Sequence, residues 1–389
     1  MGSWATARLG DVTRIRTGKL DAGASSADGP FPFFTCSREA LRINTYSYDC
    51  ECVLVGGNGE LHVKYYDGKF DAYQRTYIIE SLNKDVLHVP YLYFFLLDYV
   101  DALRSRSIGG VVKYIKLGHL AEAAVPLPPI EEQRRIADAL REAAELAELR
   151  RRQLEELERL VRSMYYDMFG DPAVNEQGWD VVPFVGVLAA KPQNGLFAKA
   201  GAYAEDGNAE VIWINDFIDR RACELGRLRR VKAAPADVAK FQTAYGDLLF
   251  CRSSLTEAGV GKCAYVPQDV RPNTLFECHI IRVKADMRRV HPVFLQAQTM
   301  TELFRGQILA NAKRSTMTTI GQDGIAGCRI VVPPLDLQRR FADIAADIDA
   351  QQRVVRQALD DTQQLYDSLT SRYFGQGERR QLPYASVRQ

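Results

Sequence analysis

The chain has 389 residues, 47% of them hydrophobic and 25% charged, too many for one ordinary core and too apolar for a disordered chain, so two domains or more are expected. Its 50 Lys and Arg against 49 Asp and Glu leave a formal charge of +1, which argues against attachment to nucleic acid or membrane by bulk positive charge and leaves only local patches. The eight cysteines are scattered, with no Cys-x-x-Cys pair and no histidine at zinc spacing, and are expected to be free thiols of a reducing cytosol. No leader opens the chain, and the longest apolar stretch, Val89 to Leu97, is about half a membrane span, so a soluble cytoplasmic protein is expected.

Residues 1–124 begin near Trp4 and read as a mixed α and β globule. Strand-like runs Cys52–Gly56, His62–Tyr66 and Thr76–Glu80 lie between Gly and Asp turns, and an apolar helix follows near Tyr91–Leu103. Residues 125–172 then form a long helix. Pro128-Pro129 hold the chain extended before the acidic first turn at Glu131-Glu132. Ile136, Leu140, Ala143, Ala147, Leu154, Leu157, Val161, Met164 and Met168 follow a 4-3-4 spacing broken at Arg150, and Gly170 with Pro172 ends it. From 131 to 168 such a helix runs ~57 Å at 1.5 Å per residue.

Residues 173–329 form a second globule near Trp179, with strands at Glu210–Ile214, Asp247–Cys251, Lys262–Val266 and His279–Val283 and a helix near Pro292–Gln307. Cys278-His279 read as strand residues rather than ligands. Residues 330–375 repeat the long helix at an offset of 205, with thirteen of 46 aligned residues identical and no gap. Among them are Pro128/Pro333, Pro129/Pro334, Gln133/Gln338 and the closing Phe169-Gly170/Phe374-Gly375. The second seam is Phe341, Ala345, Ile348, Val355, Leu359, Tyr366, Leu369 and Tyr373, interrupted by Gln352 and Thr362. Residues 376–389 remain as a C-terminal tail. His88-Val89-Pro90-Tyr91-Leu92 also resembles His291-Pro292-Val293-Phe294-Leu295 at an offset of 203. The expected fold is α+β and pseudo-twofold: two mixed α/β globules alternate with two long helices whose seams bury each other. Leu146, Leu149, Val354 and Leu365, opposite the seams, either widen the core stripe or take a partner.

Catalytic signatures are few. Gly259-Val260-Gly261-Lys262-Cys263 misses a phosphate loop, with Thr256 in place of its first Gly and Cys263 in place of Ser or Thr, and reads as a turn before a strand. No Gly-x-Ser-x-Gly, His-Glu-x-x-His or Gly-x-Gly-x-x-Gly occurs, the only Pro-Pro pairs are not followed by an aromatic residue, and five histidines are dispersed. Basic and amide residues instead gather at turns. The first globule offers Arg14, Arg16, Lys19, Asn58, Gln74, Arg75, Arg104, Arg106 and Lys113, the second Gln193, Asn194, Arg252, Ser253, Ser254, Asn311, Lys313, Arg314 and Ser315. Arg, Lys, Asn and Gln read base edges and Lys, Arg and Ser hold phosphates, so these residues make a pair of candidate DNA-reading faces. The run Arg220-Arg221 to Arg227, Arg229-Arg230 and Lys232 suits phosphate contact or a solvated hairpin.

The doubled Pro-Pro-x-x-x-Gln-Arg-Arg before a long helix, the closing Met-Phe-Gly-Asp-Pro and Tyr-Phe-Gly, and Pro192-Gln193-Asn194-Gly195-Leu196 resemble the specificity subunit of type I restriction-modification enzymes, over essentially the whole chain. The resemblance implies two target recognition domains that each bind half of a split DNA site, and two helices paired as an antiparallel coiled coil that spaces them. It also implies a non-catalytic subunit without a cofactor of its own. Two methyltransferase subunits with S-adenosylmethionine, and motor-nuclease subunits with ATP and magnesium, would assemble on it. Pro128, Pro129, Gln133, Arg134, Pro333, Pro334, Gln338 and Arg339 of the repeated motif, with Leu146, Leu149, Val354 and Leu365, are the candidate docking residues. A specificity protein serving a different effector, or a coiled-coil scaffold for proteins, are the other readings of the residues.

Overall fold

Each globule is closed by the same small device, a two-stranded ladder that brings its first and last residues together just ahead of a Pro-Pro pair. The computed structural model describes residues 4–109 and 113–375, so the tail at 376–389 lies outside them. The chain divides into two compact units: one holds residues 1–154 with 354–389, the other 155–353. Each unit therefore takes one globule and a part of both long helices.

In the first unit, β1 (Thr6–Arg8) leads into the short α1 (Leu9–Val12) and then β2 (Thr13–Thr17), β3 (Phe31–Phe34), β4 (Leu41–Ile43), β5 (Tyr48–Gly56), β6 (Val63–Ala72) and β7 (Thr76–Ser81). The last six form one sheet in the order β2-β7-β5-β6-β3-β4. Helix α2 (Val89–Ser105) covers it, α3 (Leu117–Ala121) follows, and β8 (Ala124–Pro126) returns antiparallel to β1. The long helix α4 spans Ile130–Phe169. Alternation along β5 and β7 and the nearly all-apolar α2 supply the core, in which Val53, Val55 and Ile79 meet Tyr91, Leu92, Phe95 and Leu96.

The second unit repeats the plan with additions. After β9 (Asp180–Pro183) come β10 (Gln193–Asn194), β11 (Ala209–Ile212), β12 (Arg229–Val231), α5 (Pro235–Phe241), β13 (Asp247–Cys251), β14 (Ser253–Ser254), β15 (Cys263–Tyr265), β16 (Thr274–Phe276) and β17 (Ile280–Lys284). Helices α6 (Pro292–Thr299) and α7 (Glu302–Asn311), then β18 (Thr318–Thr319), α8 (Gln322–Ala326) and β19 (Arg329–Val332), lead to α9 (Leu335–Phe374). The four-stranded order β10-β17-β13-β15 matches β2-β7-β5-β6, a three-stranded layer β12-β11-β16 is extra, and β19 closes on β9 as β8 does on β1. The expected single helix near Pro292–Gln307 is two: Thr301 Oγ1 accepts from the Phe304 amide and caps the second.

The repeated motif has a mechanical role. Gln133 is fully buried: its Oε1 accepts from His88 N (2.9 Å) while its Nε2 donates to Val86 O (2.8 Å) and Pro128 O (2.9 Å). Gln338 does the same with His291 N (2.8 Å), Arg289 O (3.3 Å) and Pro333 O (2.8 Å). One amide thus ties the first turn of each long helix to the loop that starts the globule's own helix.

The closing Phe-Gly is equally specific. Phe374 packs on Tyr91 and Phe95, with ring centroids at 5.4 and 5.8 Å, and Phe169 packs on Phe294 at 4.8 Å. Gly170 and Gly375 then end the helices at φ +75° and +76°, the left-handed turn that glycine takes without a Cβ penalty.

Seam residues fall into two separate cores. In the first unit Ile136, Leu140, Ala143 and Ala147 join Leu359, Tyr366, Leu369 and Tyr373; in the second Val161, Tyr165 and Phe169 join Phe341, Ala345 and Ile348. Met164 and Met168, expected in the seam, are only half-buried, and Tyr165 and Phe169 take their place. The polar interruptions are satisfied. Arg150 donates to Ala358 O, Thr362 Oγ1 to the same carbonyl at 2.8 Å, and Gln352 to Glu158 at 3.4 Å.

Replacing either glutamine leaves buried backbone groups without partners, so Gln133→Ala and Gln338→Ala are each expected to lower unfolding stability by about 1–3 kcal/mol. Denaturant melts of the two variants check this; an unchanged midpoint contradicts it.

Candidate nucleic-acid interface

Backbone hydrogen bonds draw the turns of the first globule into one rim, at the end of the sheet where Gly56 stands opposite Thr76. Gly57 N donates to Arg75 O (2.7 Å), Gly59 N to Lys113 O (3.0 Å), Ile115 N to Gly57 O (2.9 Å) and Gln74 N to Leu20 O (2.9 Å). Gly18 lets the strand end pass close to its neighbour, since a Cβ there would lie 2.1 Å from Ala72 O. Lys19, Gln74, Arg75, Arg104 and Lys113 are exposed on this rim and Asn58 is half-buried in it. The Arg104 guanidinium rests on Glu60 O (2.8 Å) and Asp101 (2.6 Å).

The second globule builds the same rim from different residues. Arg252 N donates to His279 O (2.8 Å), as Gly57 does to Arg75. Lys313 and Thr319 exchange two backbone bonds (2.8 and 2.9 Å), as Ile108 and Tyr114 do (2.9 Å each). Gly195 repeats Gly18, with Glu277 O 2.2 Å from where its Cβ would be. Ser253 and Ser254 on β14 pair with Thr319 and Thr318. Together these bonds place Arg252, Ser253, Ser254, Lys313, Arg314 and Ser315 around one strand end.

Other expected residues stand off the strand end or make contacts within the globule. Arg16 is held by Glu80 (2.6 Å) and lies over the Tyr48 ring, within the strand rather than at its end. Arg14 is exposed on the same strand, opposite Glu80. Arg106 turns back onto Tyr99 (3.0 Å). Gln193 accepts from the buried Arg282, Asn194 is half-buried with its amide N beside the Gln322 side chain (3.3 Å), and Asn311 donates to Gly324 O (3.1 Å). Gln193 thus supports the rim from within, whereas the Asn194 contact is made by its backbone and Asn311 stays exposed.

The basic run at 220–232 divides: Arg221 is buried, while Arg227, Arg229, Arg230 and Lys232 are exposed, with Arg229 over Trp213, Arg230 donating to Gly207 O and Lys232 paired with Asp206. One reading of the sequence needs correction. Cys278 and His279 form a turn rather than a strand, in which the buried Glu277 carboxylate accepts from His279 N at 2.9 Å and meets its Nδ1 at 2.9 Å. The three ligand-type atoms lie within 4.8 Å, but the carboxylate is occupied by the turn itself. Sequence reasoning also missed Phe197 and Leu255, 77% and 80% exposed beside this rim, because apolar residues at loop tips look like core in a sequence.

The docking candidates divide by burial. Pro128, Pro333, Gln133 and Gln338 are buried, and both amides are spent on backbone groups, so none of the four presents itself to a partner. Pro129 and Pro334 are exposed, as are Arg134 and Arg339, which pair with Glu131 (2.9 Å) and Asp336 (3.0 Å). Leu146, Leu149, Val354 and Leu365 are exposed at 41%, 55%, 70% and 54% and do not widen the seam.

All eight cysteines are free, and burial pushes Cys251 and Cys328 up to about 11 and Cys263 to about 12, which leaves these thiols protonated and inert. Burial likewise holds His62, His88 and His291 below the usual imidazole value. The Gly259–Cys263 segment is a turn leading into β15, with Lys262 paired to Asp219 (2.8 Å). Among the described residues, no helix is long and apolar enough to cross a membrane.

Residues 1–159 match the model of the type I restriction modification DNA specificity domain. The chain is 36% identical over 159 residues to the type I restriction enzyme EcoDI specificity subunit of Escherichia coli, covering 41% of this chain and 35% of that one. It is 22% identical over 297 residues to the EcoKI specificity subunit of Escherichia coli strain K12, covering 71% and 62%. The chain thus spans less than two thirds of the length of each of these curated relatives. The crystal structure of a type I restriction-modification system S subunit from M. genitalium matches with a TM-score of 0.64 over 95% of this chain and 96% of that one, at 14% identity, and shares its fold.

Beneath the first rim, the ammonium of Lys64 is buried and donates to Thr35 O (3.3 Å) and Ser37 O (2.6 Å), holding the Cys36 loop against Gly56. Burial pushes Lys64 down to about 8. For a base depressed on folding, the desolvation cost is fully present while both states are protonated. It is relieved as pH rises from the folded value to the unfolded one, where the unfolded chain binds more protons. The stability of the wild type relative to Lys64→Met is therefore expected to rise between about pH 7 and about pH 10. Paired melts across that range check it, and a flat or falling difference contradicts it.

Proposed function

We propose, from the premise that the chain belongs to the type I restriction-modification specificity family, that it is the DNA sequence-recognition subunit of such a complex. Each globule reads one half of a bipartite target through its rim. The two long helices pair antiparallel and space the readers. The observation that carries this reading is the matched pair of rims, built at the same end of the same four-strand order from different side chains. A shared scaffold with unlike tips is what two readers of unlike half-sites require.

Chemistry divides by residue. Lys19, Arg75 and Lys113 in one globule, and Lys313 and Arg314 in the other, supply phosphate contacts. Asn58, Gln74 and Arg252 are the candidates for base edges. The chain itself is non-catalytic. Methyltransferase subunits carrying S-adenosylmethionine dock on the exposed helix faces at Leu146, Leu149, Val354 and Leu365, with Pro129, Arg134, Pro334 and Arg339 at the helix starts. Motor-nuclease subunits using ATP and magnesium complete the assembly. Antiparallel pairing is supported by the two seam cores, in each of which an early part of one helix meets a late part of the other.

Sequencing modified DNA from cells that carry the chain with its methyltransferase is expected to reveal a split motif, one half of which changes when residues 1–124 are exchanged. A continuous motif, or none, contradicts the reading. In the assembled complex, Arg75→Ala and Lys113→Ala are each expected to weaken binding uniformly across sequences and to reduce the salt slope by about one. Lengthening both helices by two turns, ~10.8 Å, is expected to widen the gap by about three base pairs and leave both half-sites intact; altered half-sites contradict the spacer role.

A further inference from the structure

In the second unit, the edge of the four-stranded sheet reaches the long helices through charge. The backbone of Arg221 is stitched to β15, with Tyr265 N donating to Arg221 O (2.8 Å) and Cys223 N to Tyr265 O (2.9 Å). Two side chains leave this edge for one carboxylate. The Arg221 guanidinium pairs with Asp349 Oδ1 on α9, and the Tyr265 hydroxyl donates to Asp349 Oδ2 at 3.1 Å. Arg221 Nε also lies 3.9 Å from Glu158 Oε2 on α4, and that oxygen accepts from Gln352 Nε2 at 3.4 Å. The Arg221 and Asp349 side chains are only 5% and 10% exposed.

Affinity alone does not account for this arrangement. Removing a guanidinium and a carboxylate from water is costly, and well-packed apolar residues of the same volume often hold such a contact as firmly or more so. The charges differ from apolar packing in tolerance to displacement. An apolar face that slides still touches something, whereas a buried ion that slides loses its partner and stays desolvated. The Arg221 Nε and Nη1 lack hydrogen-bond partners, so the guanidinium's hydrogen bonding rests on the Asp349 carboxylate. Two arms, one from β15 and one from the segment hydrogen-bonded to it, onto one carboxylate fix rotation as well as distance.

We infer that Arg221, with Tyr265 and Asp349, is a positioning site that sets the angle at which the second globule presents its rim, and thereby restricts the complex to one gap length between half-sites. This rests on the reading of the chain as a two-part DNA reader. The first unit seats its globule on the helices through Gln133 and apolar packing, so the inference assigns gap stringency chiefly to the second globule.

The test is methylation mapping with the full chain co-expressed with its methyltransferase, on libraries in which the gap varies. The double variant Arg221→Met, Asp349→Leu is expected to keep both half-sites while methylating gaps one base pair longer or shorter at roughly a tenth or more of the native-gap rate, a penalty reduced to about one decade. Arg221→Lys, which keeps the charge but not the planar fork, is expected to fall between it and the wild type. A folded double variant as strict as the wild type overturns the inference. Should the double variant fail to fold, Tyr265→Phe removes one arm and leaves the ions paired; it is expected to admit a second gap length, and strictness there overturns the inference too. A wild type that methylates no split motif would overturn the underlying function, a result distinct from a split motif whose gap the variants leave unchanged.

Discussion

The fold depends on one side-chain amide used twice. Gln133 and Gln338 each satisfy three backbone groups buried where an extended segment, a loop and a helix start converge. Without such a partner those groups would be unpaired in the interior, a condition native structures almost never tolerate. Because the amide stands at the same step of each long helix, the two globules are seated on their helices by the same bonds. The Pro-Pro pair ahead of it keeps the chain extended so that Pro128 O and Pro333 O face the amide. The closing Phe-Gly completes the seat from the opposite direction, since the phenyl ring of one long helix's end fills the space beside the helix of a globule. The repeated sequence is therefore a joint.

Near-neutral charge is compatible with this design because cations are rationed by position. Arg16 is half-buried, stacked on Tyr48 and paired with Glu80, within its strand rather than at its end. Arg314 and Glu257 form an exposed pair at 2.5 Å. Such pairs contribute little to stability, about 0–1 kcal/mol, so Arg314 can exchange its carboxylate for a phosphate at small cost. Lys19, Arg75 and Lys113 on the first rim and Lys313 on the second are exposed. A chain of charge +1 can thus carry two local positive edges while its helices carry the compensating acids.

Much of the frame was legible in the sequence. A helix expected over 131–168 is observed at Ile130–Phe169, and the Asp247–Cys251 strand coincides with its expected bounds. On the first long helix the expected seam holds at Ile136, Leu140, Ala143, Ala147 and Val161 and then misses at its last two positions, for a physical reason: a 3.5-residue template drifts by about 20° per heptad against a straight helix. After several heptads the buried face has moved from Met164 and Met168 to Tyr165 and Phe169. Short strands such as Phe31–Phe34 and Leu41–Ile43 escaped notice because three or four residues carry too little alternation to show a period. The rims were legible as a set, since turn chemistry marks loops, but not residue by residue. Gln133 reads like a docking residue and is a joint; Arg221 reads like a phosphate contact and is buried under a globule. Burial of a polar side chain depends on partners far away in sequence, and spacing alone does not reveal it.

The central claim is that the two rims, and not the helices or the opposite ends of the sheets, lie against DNA. Photo-crosslinking of the assembled methyltransferase complex to a duplex containing its methylated motif, followed by mass spectrometry, tests this most directly. Cross-links are expected at Lys19, Arg75 or Lys113 to one half-site and at Arg252, Lys313 or Arg314 to the other. Cross-links confined to the long helices, or both rims attached to the same half-site, would contradict the account.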